Sequence, residues 1–151
     1  MRKLKAINKN NYFSIVSAIK HLKGESLLKL EGHLHTVPDQ YSIQISEIEH
    51  LLPYENAAGK ENGLFIYINH SCNPNSFFDM QKKELIALRN IGEGEEIVYN
   101  YNTTEYDMFC PFICHCKNSS CIKEIKGFKY LTCDQKKELI SYLSPHLKKY
   151  I

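Results

Sequence analysis

The segment NHSCNPN, residues 69–75, decides the fold of this chain. It places polar, turn-forming and sulfur-bearing residues between the apolar run LFIYI at 64–68 and the pair Phe77 and Phe78. Residues of this kind usually occur in surface turns rather than in a segment flanked by buried strands. The segment can set an amide, an imidazole and backbone groups around a polar ligand at a strand end. Taken alone, it indicates a turn more often than a binding site.

Length, composition and charge narrow the class of protein. The 151 residues suit one domain with one core, and the apolar and charged fractions of 43% and 24% are those of a globular protein. A net charge of +2 is too small to indicate binding to nucleic acid or to an anionic membrane. The chain has no long apolar run, and its basic start shows no cleavage site. We therefore expect neither a transmembrane segment nor a secretion signal, and a cytoplasmic or nuclear location.

Most of the chain has the pattern of short β-strands. Strands are expected at 12–19, 26–30, 41–45, 64–68, 85–89 and 97–101. Residues 48–52 fit either a strand or one helical turn, since Ser46 and Glu49 could form a capping box. In 41–45 apolar residues alternate with Ser42 and Gln44, which indicates a half-buried strand. These strands lie too close together in sequence for helical crossovers between parallel strands.

The last twenty residues follow a different pattern. Thr132 and Gln135 fit a capping box, and apolar residues then recur at helical spacing until Pro145. The sequence therefore predicts a C-terminal helix on a mainly β chain.

The cysteines indicate a metal site. Cys114, Cys116 and Cys121 follow the spacing C-x-C-x4-C, and three thiolates so close together suit zinc better than disulfides. The fourth ligand must come from elsewhere, and the residues leave four candidates: Cys72, Cys110, Cys133 and His115. His115 is a poor one, because both of its neighbours would already be ligands. The alternative is a set of buried or reactive free thiols.

The stretch GEEIVYNY at 94–101 carries two tyrosines with one residue between them. On a strand Tyr99 and Tyr101 would share one face, where two phenols can line a narrow channel. The simpler interpretation is aromatic packing on a half-buried strand, and this stretch alone favours it.

Taken in order, the three motifs resemble the signature of SET-domain protein lysine methyltransferases. NHSCNPN at 69–75 is similar to the family's N-H-S-C-x-P-N, GEGEEIVYNY at 92–101 to its G-E-E-L-x-x-D-Y, and CHCKNSSC at 114–121 to its cysteine-rich post-SET segment. LKGE at 22–25, followed by KLEG at 29–32, resembles the weaker N-terminal motif. The resemblance ends near residue 131.

The resemblance implies a SET fold: small twisted β-sheets with a C-terminal pseudoknot, a zinc-binding post-SET segment and a terminal helix. In this fold the NHSC segment crosses a remote strand and borders the cofactor pocket, which explains its polar residues. The implied divisions are a SET domain at 1–109, a post-SET segment at 110–131 and a C-terminal helix at 132–151.

The resemblance also assigns roles to residues. Asn69, His70 and Tyr101 would bind S-adenosyl-L-methionine, and Tyr101 would stand beside the transferring methyl group. Tyr99 holds the position that limits how many methyl groups fit, and a tyrosine there goes with fewer of them. The implied ligands of a structural zinc are Cys72, Cys114, Cys116 and Cys121.

The implied activity is S-adenosylmethionine-dependent methylation of a lysine in a protein, with mono- or dimethylation as the product and histones among the candidate substrates. The expected partner is a protein or peptide that carries a lysine, with no direct contact to nucleic acid or membrane. The alternative is a zinc-stabilised binding module without catalysis. In favour of that alternative, the family's Gly-x-Gly is replaced by NNYFSIVSA at 10–18, where Asn10 or Asn11 would have to adopt the unusual turn.

Overall fold

The computed structural model describes residues 2–55 and 61–151, which form short strands and little helix. The strands are β1 (Leu4–Lys9), β2 (Tyr12–Ser17), β3 (Ser26–Lys29), β4 (His33–His35), β5 (Ile43–Gln44), β6 (His50–Leu52), β7 (Asn69–His70), β8 (Ser76–Asp79), β9 (Glu84–Ala87), β10 (Val98–Tyr99), β11 (Phe112–Ile113) and β12 (Glu124–Ile125). The α-helix is α1 (Cys133–Leu139), and 3₁₀ helices occupy Glu61–Tyr67, Tyr101–Thr103, Phe128–Tyr130, Ile140–Tyr142 and Pro145–Tyr150. The mainly β class expected from the sequence is confirmed. Within the described ranges no helix has the length and apolar character to cross a membrane.

The strands pair in several small sheets. β1 and β2 form a hairpin, β9 lies between β3 and β8, β6 lies between β4 and β5, and β11 pairs with β12, all antiparallel. The strands expected at 12–19, 26–30, 41–45, 48–52 and 85–89 are present with shorter bounds, as β2, β3, β5, β6 and β9. Ser46 and Glu49 do hydrogen-bond to each other, but they close a bend before β6 rather than a helical turn.

The strand expected at 64–68 is wrong, because this apolar run lies mostly in the 3₁₀ helix Glu61–Tyr67. The helix packs against β1, β2 and β3 and buries Leu64 and Phe65, with Ile68 buried just after it. A short continuous apolar run has no periodicity that distinguishes a buried strand from a buried helix. The burial expected for this segment is confirmed at Leu64, Phe65 and Ile68, whereas Ile66 and Tyr67 are half-buried.

The alternation expected at 41–45 is also only partly correct. Ile43 is buried, but Tyr41 is half exposed and Gln44 is buried. Gln44 is accommodated because its side-chain oxygen accepts from the backbone amide of Tyr106 at 2.8 Å and its amide nitrogen donates to the carbonyl of Ser46 at 2.9 Å. Burying a side-chain amide costs little free energy when its oxygen and its nitrogen are both hydrogen-bonded. The polarity of Gln44 was therefore a poor guide to whether its side chain points inward.

The β1–β2 hairpin turns at Asn10 and Asn11, whose φ angles are 52° and 64°. Both residues are in the left-handed region, as a two-residue hairpin turn that follows the strand twist requires. Asparagine adopts this conformation more readily than other non-glycine residues. The turn expected from Asn10 or Asn11 is thus confirmed, and it is made by both.

The segment at 69–76 runs beside β10, which is far from it in sequence. β7 pairs in parallel with β10, so that Asn69 lies opposite Val98 and His70 opposite Tyr99. Beyond β7 the buried side chain of Asn75 bonds to the backbone of residues 96 and 98, as a neighbouring strand would. Its oxygen accepts from the amide of Val98 at 2.9 Å, and its nitrogen donates to the carbonyl of Glu96 at 2.8 Å. The polar residues of this segment therefore hold together two remote parts of the chain.

The strand expected at 97–101 is confirmed only as β10, and the shared strand face of the two tyrosines is wrong. Tyr101 begins the 3₁₀ helix Tyr101–Thr103, whose N-cap is Asn100. The Asn100 side chain accepts from the amide of Asn102 at 3.0 Å, which favours the helical turn over a longer strand.

The C-terminal helix is confirmed at α1, together with the capping box of Thr132 and Gln135. It is shorter than the expected range and is followed by two 3₁₀ helices. Leu143 and Leu147 pack with Phe128 in a second small core. The end of the chain is fixed to the site region, because the amide of Ser144 donates to the carbonyl of Thr103 at 3.0 Å.

Candidate active site and cysteine cluster

Two cavities meet at Tyr101 and Phe112. The first, called here the tyrosine cavity, is lined by residues of the 39–42 loop and by Phe65, Tyr99, Tyr101, Glu105 and Phe112. The second, called the imidazole cavity, is lined by Tyr12, Asn69, His70, Tyr101, Phe112 and the 114–116 segment. Tyr101 and Phe112 belong to both linings, so ligands in the two cavities could meet beside Tyr101.

Tyr101 is fixed at its ring, its hydroxyl and its backbone. Its hydroxyl donates to the carbonyl of Ile68 at 2.8 Å, and its backbone amide donates to Nδ1 of His70 at 3.1 Å. The rings of Tyr99 and Phe112 lie 4.7 Å and 5.8 Å from its own, centre to centre. Burial raises the pKa of Tyr101, so its hydroxyl is neutral near pH 7 and its oxygen can accept a further weak contact.

Tyr99 is buried between two aromatic rings. It contacts Phe78 edge to face at 4.7 Å and Tyr101 at the same distance. Burial raises the pKa of Tyr99, and the negative charges of Tyr101 and Glu105 would raise it further, whereas the hydroxyl of Thr104 acts in the opposite direction. Tyr99 and Tyr101 thus reach the same cavity wall from different backbone elements.

His70 connects the imidazole cavity to the cysteines. Because Nδ1 accepts from the amide of Tyr101, the proton of the neutral ring is on Nε2, which lies 3.4 Å from Sγ of Cys72. Burial lowers the pKa of His70 to about 4, so the ring is neutral at physiological pH. One side chain therefore positions the tyrosine and contacts the thiol.

Asn69 ties the NHSC segment to the first hairpin. Its side-chain amide donates at 2.9 Å to the carbonyl of Phe13 and to Oε1 of Glu96. Glu96 also accepts from the hydroxyl of Tyr12 at 3.2 Å. Glu96, in the segment before β10, thus ties Tyr12 of β2 to Asn69 of β7, and both of these residues line the imidazole cavity.

Four cysteines converge beside this cavity. The sulfur atoms of Cys72, Cys114, Cys116 and Cys121 all lie within 4.8 Å of one another, an arrangement that could hold a metal ion. The structure brings Cys72 into the set, while Cys110 and Cys133 are exposed and lie outside it. His115 is also outside it and lines the imidazole cavity.

The electrostatics of the four thiols suit a cation. Burial raises the pKa of Cys72, and it raises that of Cys114 to about 11. Burial acts the same way on Cys116, but hydrogen bonds from the backbone of Asn118 and Cys72 outweigh it and lower its pKa to about 6. Four thiolates could not share this space without a positive ion, and sulfur ligands in this number fit a structural zinc.

Sequence reasoning missed Glu105. This carboxylate is 8% exposed, and it lines the tyrosine cavity. Oε1 accepts from the backbone amide of Gln44 at 2.8 Å and from the hydroxyl of Thr104 at 3.2 Å. Burial raises the pKa of Glu105 to about 7. The only signal in the sequence was an acidic residue four positions after Tyr101.

Comparison with protein families places most of the chain in one of them. A family model described as the SET domain matches residues 4–102, about two-thirds of the chain. The methyltransferase flvH of Aspergillus flavus is 36% identical over 87 residues, which cover 55% of this chain and 47% of that protein. A histone-lysine N-methyltransferase of Chaetomium globosum, specific for lysine 36 of histone H3, is 38% identical over 76 residues, 46% of this chain and 8% of that protein. The chain therefore spans about half of the first relative and less than a tenth of the second.

Solved structures share the fold at lower identity. KRYPTONITE in complex with DNA, an H3(1-15) peptide and SAH superposes with a TM-score of 0.60 at 19% identity, covering 80% of this chain and 29% of that one. SUVH6 of Arabidopsis thaliana in complex with SAM gives 0.60 at 18% identity, covering 80% of this chain and 32% of that one. This likeness shows that the chain shares the fold of these structures.

Proposed function

This chain belongs to the SET-domain family, and on that basis we propose that it transfers a methyl group from S-adenosylmethionine to the side-chain amine of a lysine in a protein. The observation that carries the proposal is the meeting of two cavities at Tyr101 and Phe112. A methyl donor in the imidazole cavity and a lysine in the tyrosine cavity would approach each other beside one phenol. Relatives of this chain include named methyltransferases.

Asn69, His70 and Tyr101 would hold S-adenosylmethionine in this proposal. The imidazole cavity suits a nucleoside, since the rings of Tyr12 and Phe112 offer apolar faces and Asn69 offers its side-chain oxygen, while its nitrogen is held by Phe13 and Glu96. When bound, the cofactor supplies a methyl group on a positively charged sulfur, so the reaction needs no metal chemistry. The neutral His70 adds no positive charge near that sulfur.

The chain's own residues align the amine and help it lose its proton. Holding two reactants in line can supply several kcal/mol of the barrier. A free lysine has a pKa of about 10.4, and an apolar aromatic cavity next to a cation lowers it. The rings of Tyr99 and Tyr101 favour a cation at their faces, so their role is to bind the ammonium before it loses its proton. In this proposal Tyr101 stands next to the transferred methyl, and Tyr99 leaves room for mono- or dimethylation.

Cys72, Cys114, Cys116 and Cys121 would hold a structural zinc. This zinc would position part of the cavity wall, because Phe112 precedes Cys114 by two residues and lines both cavities. A zinc ion that joins Cys72 to the 114–121 segment would keep Phe112 against Tyr101. With all four ligands from the protein, such a site is closed to substrate.

Calorimetric titration of S-adenosylmethionine into zinc-loaded protein tests the cofactor site, with Tyr101→Phe as the matched variant. We expect binding near the micromolar range for both, because the ring is kept. Transfer of labelled methyl groups to core histones and to an array of lysine peptides then tests catalysis, which Tyr101→Phe should reduce by about 100-fold or more. Absence of binding by both folded, zinc-loaded proteins would reject the enzyme and leave the binding module.

A further inference from the structure

Glu105 is a buried carboxylate in the tyrosine cavity that the proposed chemistry does not yet use. Only Oε1 is hydrogen-bonded, to Gln44 and Thr104, and Oε2 has no hydrogen-bond partner among the described residues. Buried carboxylates are normally paired with a cation or fully hydrogen-bonded. The lining of this cavity contains no lysine or arginine in the part of the chain that the structure describes. The cation that a lysine substrate brings is therefore the missing partner.

Oε2 is the oxygen of Glu105 that such a cation can reach. It has no hydrogen-bond partner and is not one of the fully buried unpartnered atoms among the described residues, so it keeps some exposure, and Glu105 lines the tyrosine cavity. The Thr104 hydroxyl has one proton, which it can donate to Oε1 of Glu105 at 3.2 Å or to the carbonyl of Tyr101 at 3.3 Å. Tyr99 is in contact with Tyr101, where the two cavities meet.

The groups around Glu105 leave its charge uncompensated. The titratable side chains that face it, or share its cavity, are Asp39, Tyr41, Tyr99, Tyr101, Cys110 and, behind Thr104, His146. His146 donates from Nε2 to the carbonyl of Thr104 at 2.8 Å, and burial lowers its pKa, so it is neutral at pH 7. Asp39 is engaged with the backbone amides of Tyr41 and Ser42. A pKa of about 7 places Glu105 where a general base works best near neutral pH.

We propose that Glu105 accepts, at Oε2, the proton that the substrate ammonium must lose before methyl transfer. The proposal rests on the proposed function, since it assigns the base for that reaction.

The step balances without a further reactant. One N–H bond of the ammonium breaks, and its electron pair stays on nitrogen. The proton passes to Oε2 of Glu105, where it forms an O–H bond. The ammonium becomes a neutral amine and the carboxylate becomes a carboxylic acid, which later returns its proton to water.

The first experiment needs no turnover. The carboxyl carbon of Glu105 is followed by ¹³C NMR from about pH 4 to 9, assigned by its loss in Glu105→Gln, with and without the blocked lysine N-acetyl-lysine N-methylamide. We expect titration near 7 in the free protein and a downward displacement of the midpoint with the probe, because its ammonium favours the carboxylate. An ordinary midpoint near 4.5, or one that the probe leaves in place, would overturn the proposal.

The second experiment is the pH profile of labelled-methyl transfer to a peptide methylated by the wild type. Glu105→Gln keeps an acceptor for the amide of Gln44 but is not a base. We expect its rate to fall about 100-fold near pH 7.5 and to approach the wild-type rate near pH 10, where lysine deprotonates unaided. A purely structural role would lower the rate equally at all pH values, and that result would reject the proposal.

Two further variants make the comparison specific. Glu105→Asp restores a carboxylate and should recover part of the rate near pH 7.5. Glu47→Gln changes an exposed carboxylate, paired with Lys149, and should leave the profile unchanged. Failure of the proposed function has a different signature, because the wild type itself would then transfer no methyl groups, and the NMR titration would still decide the ionisation of Glu105.

Discussion

Nδ1 of His70 accepts a hydrogen bond from the backbone amide of Tyr101 at 3.1 Å, although the two residues are 31 positions apart. The same ring reaches Sγ of Cys72 with its other nitrogen, at 3.4 Å. The phenol that joins the two cavities is therefore positioned by a residue that also touches the cysteine cluster.

Replacement of this imidazole should weaken both the fold and the cofactor site. In His70→Ala the amide of Tyr101 loses its acceptor, and we expect about 2–3 kcal/mol less stability in urea unfolding. Affinity for S-adenosylmethionine, measured by calorimetry, should fall at least about tenfold. His35→Ala, at an exposed position on β4, is the control and should change stability by less than about 0.5 kcal/mol. Equal stability of the two variants would contradict the positioning role of His70.

The cysteine cluster should bind one zinc ion per chain. Removal of zinc with a chelator should lower the free energy of unfolding by roughly 3 kcal/mol or more, since metal binding is coupled to folding. Cys114→Ser should lose the metal, as measured by atomic absorption, whereas Cys133→Ser should keep it because Cys133 is exposed and outside the cluster. Zinc retained at full stoichiometry in Cys114→Ser would show that the cluster is not the site.

Gly32 should tolerate no side chain. A Cβ atom there would lie 1.9 Å from the carbonyl oxygen of Leu52, which is backbone and cannot move aside like a flexible side chain. We expect Gly32→Ala to cost about 3 kcal/mol or more in urea unfolding. Gly92→Ala is the matched substitution, because its Cβ would meet only a side-chain oxygen of Glu95 at 3.8 Å. Similar costs for the two would mean that the β3–β4 connection shifts easily.

The ionisation of Glu105 should make stability depend on pH. Its pKa is about 7 in the folded chain and ordinarily 4.5, so the folded state binds the proton more tightly than the unfolded state. Stability from this group is complete below about 4.5, falls as the pH rises to 7 and is then constant, and the difference corresponds to about 3 kcal/mol. The stability of Glu105→Gln relative to wild type should therefore increase by up to that amount between pH 4.5 and 8. A difference that is flat with pH would contradict the raised pKa.

Tyr99 should control how many methyl groups the product carries. Tyr99→Phe removes one hydroxyl from the cavity wall and keeps the contacts with Phe78 and Tyr101. We expect mass spectrometry to find a shift towards di- and trimethylated lysine. An unchanged distribution of products, at comparable turnover, would place the limit elsewhere in the cavity.

The sequence predicted which segments meet better than it predicted their backbone, while the roles of the site residues stay predictions. The motifs at 69–75, 92–101 and 114–121 lie together, and Asn69, His70 and Asn75 hydrogen-bond to Glu96, Tyr101 and Val98, all remote in sequence. The spacing did not predict the fourth ligand of the metal site. It left four candidate residues open, and only the family resemblance selected Cys72.

The errors have physical causes that short-range patterns do not contain. LFIYI at 64–68 is apolar throughout, so nothing in it separates a strand from the 3₁₀ helix that occurs. Gln44 and Glu105 are polar and look exposed, but each is buried because the other segment supplies its partner: Glu105 accepts from the Gln44 backbone, and the Gln44 side chain accepts from Tyr106. Such pairs of buried polar groups become visible only when both segments are in place.

The parallel pairing of β7 with β10 has a consequence for how the chain reaches its native state. Residues 69–70 must find residues 98–99, and Cys72 must then find Cys121, 49 positions further on. Contacts between residues so far apart raise the contact order. The entropy of closing the long loop is lost before the contacts stabilise the chain, and this slows folding. Tyr12 and Phe112 line one cavity although they are 100 positions apart, so its walls are complete only when both ends of this span are in place. A folding intermediate that has the first hairpin and the β3–β9–β8 sheet would have no place for either ligand.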